Sequence, residues 1–175
     1  MSDSRLAALL EELCPPALDD TATRAFALVD AARDEKIYPA ILGADCRWTC
    51  LYRGDAAATM AEVAPYLVEL DRFSLFTLWL IHKGWGNSWG VFIHAATSLE
   101  ILRNHFRKFV MAKLPDGRMV YFRFYDPRVL RPYLPTCDEQ ELAAMFGPVS
   151  RYLIEDEDGA VMKFARAEGK LVLES

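Results

Sequence analysis

The side chains of this sequence that could carry out a reaction are its cysteines and histidines, together with an asparagine in an unusual string. A thiol becomes a nucleophile when a histidine accepts its proton, and an asparagine can hold that histidine in the required orientation. Asn87 lies in the string GWGNSWGVF, residues 84–92. The cysteines and histidines that could be its partners are Cys46, Cys50, His82 and His94. One open interpretation is therefore a cysteine-dependent hydrolase that uses Cys50 or Cys46 with one of these histidines.

The spacing of these residues does not match a known thiol protease. Papain-like proteases place the letters Asn-Ser-Trp-Gly around their active-site asparagine, but they carry the cysteine in a Cys-Gly-Ser-Cys-Trp-like stretch and the histidine well ahead of the asparagine. Here Cys46 and Cys50 lie in ADCRWTCLY, and His82 closely precedes Asn87. Because short motifs transfer poorly between families, the match is interpreted as coincidence.

The same string is better explained as a structural break. The apolar residues of 74–83 cover nearly the whole circumference of a helix, so this helix is predicted to be buried. Gly84 follows, where a glycine can end a helix in the left-handed region, and Trp85 is expected to pack back on Leu80. A turn and an apolar strand, 89–94, are predicted next.

No metal or cofactor is expected. The four cysteines have neither the close paired spacing of a zinc site nor the density of a secreted disulfide scaffold. Cys46 and Cys50 could share one face of a strand, but they lack the nearby histidine that would make a good metal site. We therefore predict free thiols that are buried or half-buried.

The composition suits one compact domain with a sizeable core. The chain has 175 residues, of which 53% are hydrophobic and 26% charged. Residues 1–13 lack the basic start and the continuous apolar run of a signal peptide, and the most apolar stretch, 73–81, is too short to cross a bilayer. A soluble cytoplasmic protein with no membrane partner is expected.

The charges are distributed unevenly along the chain. The net charge is −5, yet residues 98–133 are rich in lysine and arginine while the segments on either side are mostly acidic. Because the total is negative and no run of basic residues occurs, a long-range field that attracts phosphate is not expected. We predict no nucleic-acid partner; a steep salt dependence of binding would be the sign of one.

The chain alternates between predicted helices and predicted strands. Helices are predicted at 6–13, 33–42, 56–64, 74–83, 98–109, 128–131 and 136–146. Strands are predicted at 26–30, 48–52, 66–70, 89–94, 110–114, 119–125, 149–154, 160–167 and 170–173. We therefore predict a mixed α/β fold. It has one domain, residues 1–148, with a central, partly antiparallel sheet flanked by helices, and a small C-terminal β-meander, residues 149–175, packed on the same domain.

A hairpin formed by 110–114 and 119–125, with its turn at Pro115-Asp116-Gly117, carries the residues best suited to bind another protein. Val120, Phe122 and Phe124 are predicted to face the core, and the alternate side chains to face outward. Tyrosine and arginine contribute disproportionately to binding energy. The predicted partner-binding residues are Met119, Tyr121, Arg123, Tyr125, Arg128, Arg103 and Arg107. The alternative is that Arg123 pairs internally with a carboxylate and the tyrosines pack as a second core layer.

Three long strings together resemble one bacterial family. GWGNSWGVFIHAATSLEILRNHF is followed by LPDGRMVYFRFYDPRVLRPYLPT and then by FGPVSRYLIED. The sequence is similar, over about 26–155, to a family first catalogued as a domain of unknown function, whose members are adaptors, also called effector chaperones, of the type VI secretion system.

The resemblance implies a loading role rather than a reaction. Such adaptors bind a particular toxic effector protein and help deliver it to the valine-glycine-repeat (VgrG) spike protein. It therefore implies a non-enzymatic protein with two protein partners, the cognate effector and VgrG, and no cofactor.

Overall fold

A computed structural model of the chain describes residues 1–16, 23–114 and 116–174. The described strands are β1 (Arg24–Asp30), β2 (Trp48–Cys50), β3 (Pro65–Glu69), β4 (Gly90–Ala95), β5 (Met111–Lys113), β6 (Met119–Tyr121), β7 (Arg151–Glu155), β8 (Val161–Ala167) and β9 (Lys170–Glu174). The described helices are α1 (Asp3–Leu13), α2 (Ile37–Leu42), α3 (Gly54–Thr59), α4 (Leu75–Gly84), α5 (Leu99–Phe106), α6 (Pro127–Tyr133) and α7 (Glu139–Phe146). The predicted mixed α/β, single-domain fold is confirmed.

One sheet of seven strands forms the centre of the fold, in the order β2-β3-β1-β4-β7-β8-β9. Strand β1 lies between β3 and β4, so Phe26 is opposite Glu69 on one side and Ile93 on the other. The run from Ala25 to Asp30 is buried throughout, as expected for an apolar strand in the middle of a covered sheet. Every pairing between the described strands is antiparallel, so the sheet is more regular than predicted.

The C-terminal strands continue this sheet. Strand β7 pairs with β4, placing Phe92 opposite Leu153, and β8 and β9 follow in sequence order. The segment predicted as a small meander therefore extends the central sheet, and β9 forms one of its edges. Ser175, the last residue of that predicted segment, lies outside the described residues.

Helix α4 is less buried than its composition indicated. Phe76, Leu80 and Ile81 belong to the core, but Leu75 in the first turn is 77% exposed. The apolar pattern specified the helix correctly, and the prediction that its whole circumference is buried was wrong. The less buried positions continue along one face of the helix, from Leu75 through the half-buried Leu78 and Trp79 to the exposed Lys83, so this face is not fully covered.

The hairpin is shorter than predicted. Strands β5 and β6 pair from Met111 opposite Tyr121 to Lys113 opposite Met119, and Gly117 in the turn has a φ of 87°. Pro115 of the predicted turn lies outside the described residues. The second strand ends at Tyr121 because the chain then turns toward α6, with the Asp126 N–H donating to the Arg123 carbonyl at 3.0 Å.

This early end changes the direction of one predicted binding residue. Tyr125 is 2% exposed and packs against Phe124, with ring centroids 5.5 Å apart. The prediction that Tyr125 faces outward was therefore wrong, since strand alternation does not continue through the turn. Phe124 is fully buried as predicted, whereas Phe122 is only partly buried.

Candidate protein-interaction surface

The string GWGNSWG forms a turn held by a buried carboxylate. Glu155, at the end of β7, accepts hydrogen bonds from the backbone N–H groups of Gly86 and Ser88, the latter at 2.7 Å. Gly86 has a φ of 85° and Ser88 a φ of 56°, so two residues of the turn lie in the left-handed region. The string is thus a structural feature, as the sequence pattern indicated.

Gly84 differs in detail from the prediction, while the predicted packing of Trp85 on Leu80 stays a prediction. Gly84 is the last residue of α4 and does not lie in the left-handed region; a Cβ there would come within 3.0 Å of the Trp89 ring, so the requirement for glycine is steric. Trp85 donates from Nε1 to the Gly159 carbonyl at 2.7 Å and packs on Phe92, with ring centroids 5.7 Å apart. The string therefore connects α4 to the β7–β8 turn.

Asp126 organises the second characteristic string, FRFYDPRVL. Its carboxylate is almost completely buried and accepts hydrogen bonds from the backbone N–H of Arg128 at 2.9 Å and from the Arg128 guanidinium at 3.0 and 2.7 Å. The Arg123 guanidinium lies 3.4 Å away. Burial alone would raise the pKa of Asp126, but the Arg128 hydrogen bonds and the two positive charges outweigh it and hold that pKa below its ordinary value.

Arg123 and Arg128 are therefore attached to the fold. Each is about half exposed and pairs with Asp126, so the alternative in which Arg123 pairs internally with a carboxylate holds for this residue. Their exposed edges remain open to a partner. Neither side chain can reorient, however, without removing a hydrogen-bond donor from the buried Asp126 carboxylate.

The cysteine thiols and histidine imidazoles contact different groups of the fold rather than one another. Cys46 Sγ lies 2.9 Å from Ser74 Oγ. The ring Nε2 of His94 contacts the Leu13 carbonyl at 3.2 Å, and that of His105 contacts the Met145 carbonyl at 3.0 Å. Within the described residues, no hydrogen bond joins a cysteine to a histidine.

Burial disfavours the reactive form of the cysteines whose pKa is shifted. It raises the pKa of Cys14 to about 11 and also raises the pKa values of Cys50 and Cys137. A nucleophilic cysteine needs the opposite shift, because only the thiolate attacks. Cys50, one of the two candidate nucleophiles, therefore lies in an unfavourable environment for catalysis.

The buried histidines predict a measurable pH dependence of stability. Burial lowers the pKa values of His94 and His105. Since a carbonyl oxygen can only accept, each ring donates from Nε2 in its neutral form. The unfolded chain then binds more protons below about pH 6.5, so stability is fully present above that pH and is lost as the pH falls, by at most about 1.4 kcal/mol per pH unit for each histidine.

Urea unfolding at pH 7.5 and pH 5.5 checks this expectation. A His94→Gln, His105→Gln double variant is expected to show a flatter change in free energy of unfolding between the two pH values than the wild type. Arg151 and Lys163 near His94, and Lys108 near His105, act in the same direction as burial, while Glu174 opposes it. An unchanged pH dependence in the double variant would contradict the assignment.

In the described part of the chain, no group of three or more histidine, cysteine, aspartate or glutamate side chains is arranged to hold a metal ion. None of the helices in residues 1–16, 23–114 and 116–174 has the length and apolar character needed to cross a membrane.

Two of the predicted binding residues meet at one concave surface, here named the arginine groove. It has a volume of about 200 Å³ and is lined by Leu51, Tyr52, Arg53, Ala56, Arg107, Val110, Met111 and Tyr121. Tyr121 is 44% exposed and lies against Tyr52, with ring centroids 5.0 Å apart. Met119, 56% exposed, is two residues away on the same strand.

Arg107 joins two elements at this groove and keeps one buried donor without a partner. Its Nη2 donates to the carbonyls of Cys50 and Tyr52 at 2.9 and 3.2 Å, which joins α5 to the end of β2. Its Nε is buried without a hydrogen-bond partner in the structure, and so is the Nε of Arg103 one turn earlier. Arg103 and Arg107 therefore do not form a fully solvated helix face, because both side chains are half-buried.

Sequence reasoning missed several exposed residues. Arg53 and Met111 line the arginine groove, and no motif marks either of them. Three large apolar side chains outside this groove are also exposed, namely Phe73 at 84%, Leu75 and Leu42. The adjacent DRF string at 71–73 offered one weak signal, a phenylalanine between charged residues and a helix cap.

The fold and this surface define a class, that of a mixed α/β protein suited to contact with other proteins. Its most characteristic sequence strings, GWGNSWG and FRFYDPRVL, form turns, and its exposed tyrosine, methionine and arginine side chains are of types that protein interfaces favour. A family model described as a domain of unknown function (DUF4123) matches residues 25–144. This match covers more than half of the chain, and the protein belongs to that family. It begins close to the predicted start of the resemblance and ends before the predicted end at about 155. Neither the curated proteins nor the solved structures give a match to this chain.

Proposed function

We propose that this protein is a non-enzymatic adaptor, or effector chaperone, that binds a cognate type VI secretion effector and helps load it onto the VgrG spike. The observation that carries the proposal is membership of the DUF4123 family over residues 25–144, together with the strings that resemble such adaptors. In this role the protein acts in the cytoplasm, where it meets the effector before export, and needs neither nucleic acid nor membrane.

The use of polar groups within the family strings supports the proposal. Glu155 organises the GWGNSWG turn, and Asp126 anchors two arginines of FRFYDPRVL. Both carboxylates accept hydrogen bonds that hold the backbone and side chains of these strings in place. A protein whose characteristic residues preserve a rigid surface is suited to docking, since pre-organisation lowers the cost of binding.

Co-expression with the product of the adjacent gene tests the adaptor role. We expect that product to be a toxin-like protein that is more soluble when co-expressed and that co-purifies with this chain. Turnover of a hydrolase substrate by the purified protein alone, with one cysteine that alkylates much faster than the others, would contradict the proposal and favour the cysteine-dependent alternative.

A paired substitution tests the predicted surface. Tyr121→Ala with Arg123→Ala is expected to weaken affinity for the co-purified effector by about tenfold or more, because truncation at an interface anchor costs about 2 kcal/mol or more. Titration calorimetry measures the affinity, and thermal unfolding is recorded in parallel. Since Arg123 also pairs with Asp126, a loss of affinity that is matched by a loss of stability would favour a purely structural role.

Leu173→Ala provides a matched control for this experiment. Leu173 is exposed like Tyr121, but it lies on the edge strand β9, at the opposite end of the sheet from β2. Affinity is expected to be unchanged in this variant. Equal weakening by both variants would show that the contact is not centred on the hairpin.

A further inference from the structure

We infer that the arginine groove binds an acidic segment of a partner protein. One apolar side chain of that segment lies between Tyr52, Met111 and Tyr121, and the carboxylates of the segment face Arg53 and Arg107. This inference rests on the proposed function in that it supposes a protein partner, and it adds the chemistry of the segment and the place where it binds.

The shape of the groove fits a side chain better than a free small molecule. Its floor contains Leu51, Tyr52 and Val110, which are all buried, and Met111 and Tyr121 form an exposed wall. Sites for small molecules have volumes of roughly 300–1,000 Å³, whereas this cavity measures about 200 Å³. An apolar anchor from a longer segment is therefore the occupant that the size favours.

The charge around the groove is positive and lacks internal compensation. Among the described residues, no carboxylate oxygen lies within 4.0 Å of the guanidinium groups of Arg53, Arg103 or Arg107. Asp55, although two residues from Arg53, forms no ion pair with it in the described structure. Arg47 differs in this respect, because it pairs with Glu69 and Glu100.

The electrostatics of Arg107 point the same way. Burial, followed by the positive charges of Arg103 and Arg53, lowers its pKa from the ordinary value for arginine. The Nε donors of Arg103 and Arg107 are buried without acceptors, and an unpaired buried donor is costly. A partner carboxylate beside Arg53 and Arg107, the two arginines that line the groove, would relieve the repulsion between these positive charges.

The occupant is a protein segment rather than a nucleic acid. Phosphate binding over a useful length requires a continuous row of cations, whereas only two arginines, Arg53 and Arg107, line this small apolar cavity, in a chain with a net charge of −5. In an acidic segment with an apolar anchor, the anchor matches the apolar floor of the groove and the carboxylates match Arg53 and Arg107. Charge complementarity of this kind also contributes to the rate and specificity of association.

Selection from a displayed library of random linear peptides tests the inference with a defined probe. Peptides retained by the wild-type chain are expected to be enriched in aspartate and glutamate beside a large apolar residue. Arg53→Glu is expected to weaken a selected peptide by about tenfold or more. Arg53 is exposed and makes no hydrogen bond through its side chain in the described structure, so this variant should fold; its thermal midpoint is compared with that of the wild type.

A double-mutant cycle sharpens the result. Exchanging the peptide's acidic residues for their amides should weaken binding to the wild type but strengthen binding to Arg53→Glu, because the amides remove the repulsion from the carboxylate that this substitution introduces. Arg166→Glu is the matched control: Arg166 is exposed on β8, remote from β2 in the sheet, and peptide binding should be unchanged. Met111→Ala, which keeps all the charges, should also weaken binding.

The inference is overturned if no peptide is retained, if retained peptides show no acidic enrichment, or if Arg53→Glu binds them as well as the wild type does. Displacement of the peptides by a single-stranded oligonucleotide, with a steep salt dependence, would overturn it in favour of nucleic-acid binding. If the effector co-purified equally with the wild type and with Arg53→Glu, the adaptor function would still be supported, but the groove would not be the site that binds the effector.

Discussion

Gly90→Ala is expected to lower the free energy of unfolding by about 3 kcal/mol or more, at the upper end of what overpacking costs. A Cβ added at Gly90 would lie 2.1 Å from the carbonyl oxygen of Leu28 and 3.0 Å from its carbonyl carbon. Gly90 and Val29 are direct partners in the ladder between β4 and β1. Because the obstructing atoms are backbone in the central strand, they cannot move aside as a flexible side chain would.

Urea unfolding of Gly90→Ala beside Gly43→Ala isolates this effect. Gly43 follows α2 with a φ of −91°, and the nearest atoms to an added Cβ are 3.7 Å away, which is an ordinary contact. Gly43→Ala should change the free energy of unfolding by no more than about 0.5 kcal/mol. If the two variants unfolded at the same urea concentration, the close approach of β4 to β1 would be wrong.

The parts of the fold that depend on local pattern could be predicted from the sequence. Strand β1 follows from an apolar run, and helix α5 from its Ser98 cap and an apolar stripe; the Ser98 hydroxyl does accept the Ile101 N–H. At α7 the pattern was ambiguous. Thr136 and Glu139 have the spacing of a capping box, but the structure has the box at Asp138 and Glu141, because residues 134–136 form a 3-10 turn first.

The candidate site depends on contacts that local pattern does not encode. Tyr121 and Arg107 could be named from the alternation of a strand and the polar face of a helix. Arg53 comes from a third segment, and only the tertiary fold brings it to the same groove. Tyr125 was misplaced for the complementary reason: strand alternation predicts a direction only while the strand continues, and the turn before Asp126 ends it.

Glu155 illustrates how a distant residue can determine the shape of a motif. Glu155→Ala is expected to lower the free energy of unfolding by about 2 kcal/mol, since it removes the carboxylate that accepts from the N–H groups of Gly86 and Ser88, and a hydrogen bond to a charged group contributes about 1.5–3 kcal/mol. Glu155 is 5% exposed, but Gly86 is exposed and Ser88 half-exposed, so water recovers part of the loss at these two donors. Trp85 and Trp89, both buried beside this turn, should report the change as a red shift of tryptophan emission before global unfolding.

Glu157→Ala separates this role from a general effect of acidic residues in the same turn region. The Glu157 side chain is 89% exposed and makes a surface ion pair with Arg131 at 3.0 Å, a type of contact that contributes about 0–1 kcal/mol. Glu157→Ala should therefore leave both the urea midpoint and the tryptophan emission close to those of the wild type. Arg131 also donates to the Glu155 backbone carbonyl at 3.0 Å, a bond that Glu155→Ala can retain. The large loss in that variant would then come from the carboxylate alone, and equal behaviour of the two variants would show that Glu155 does not hold the GWGNSWG turn.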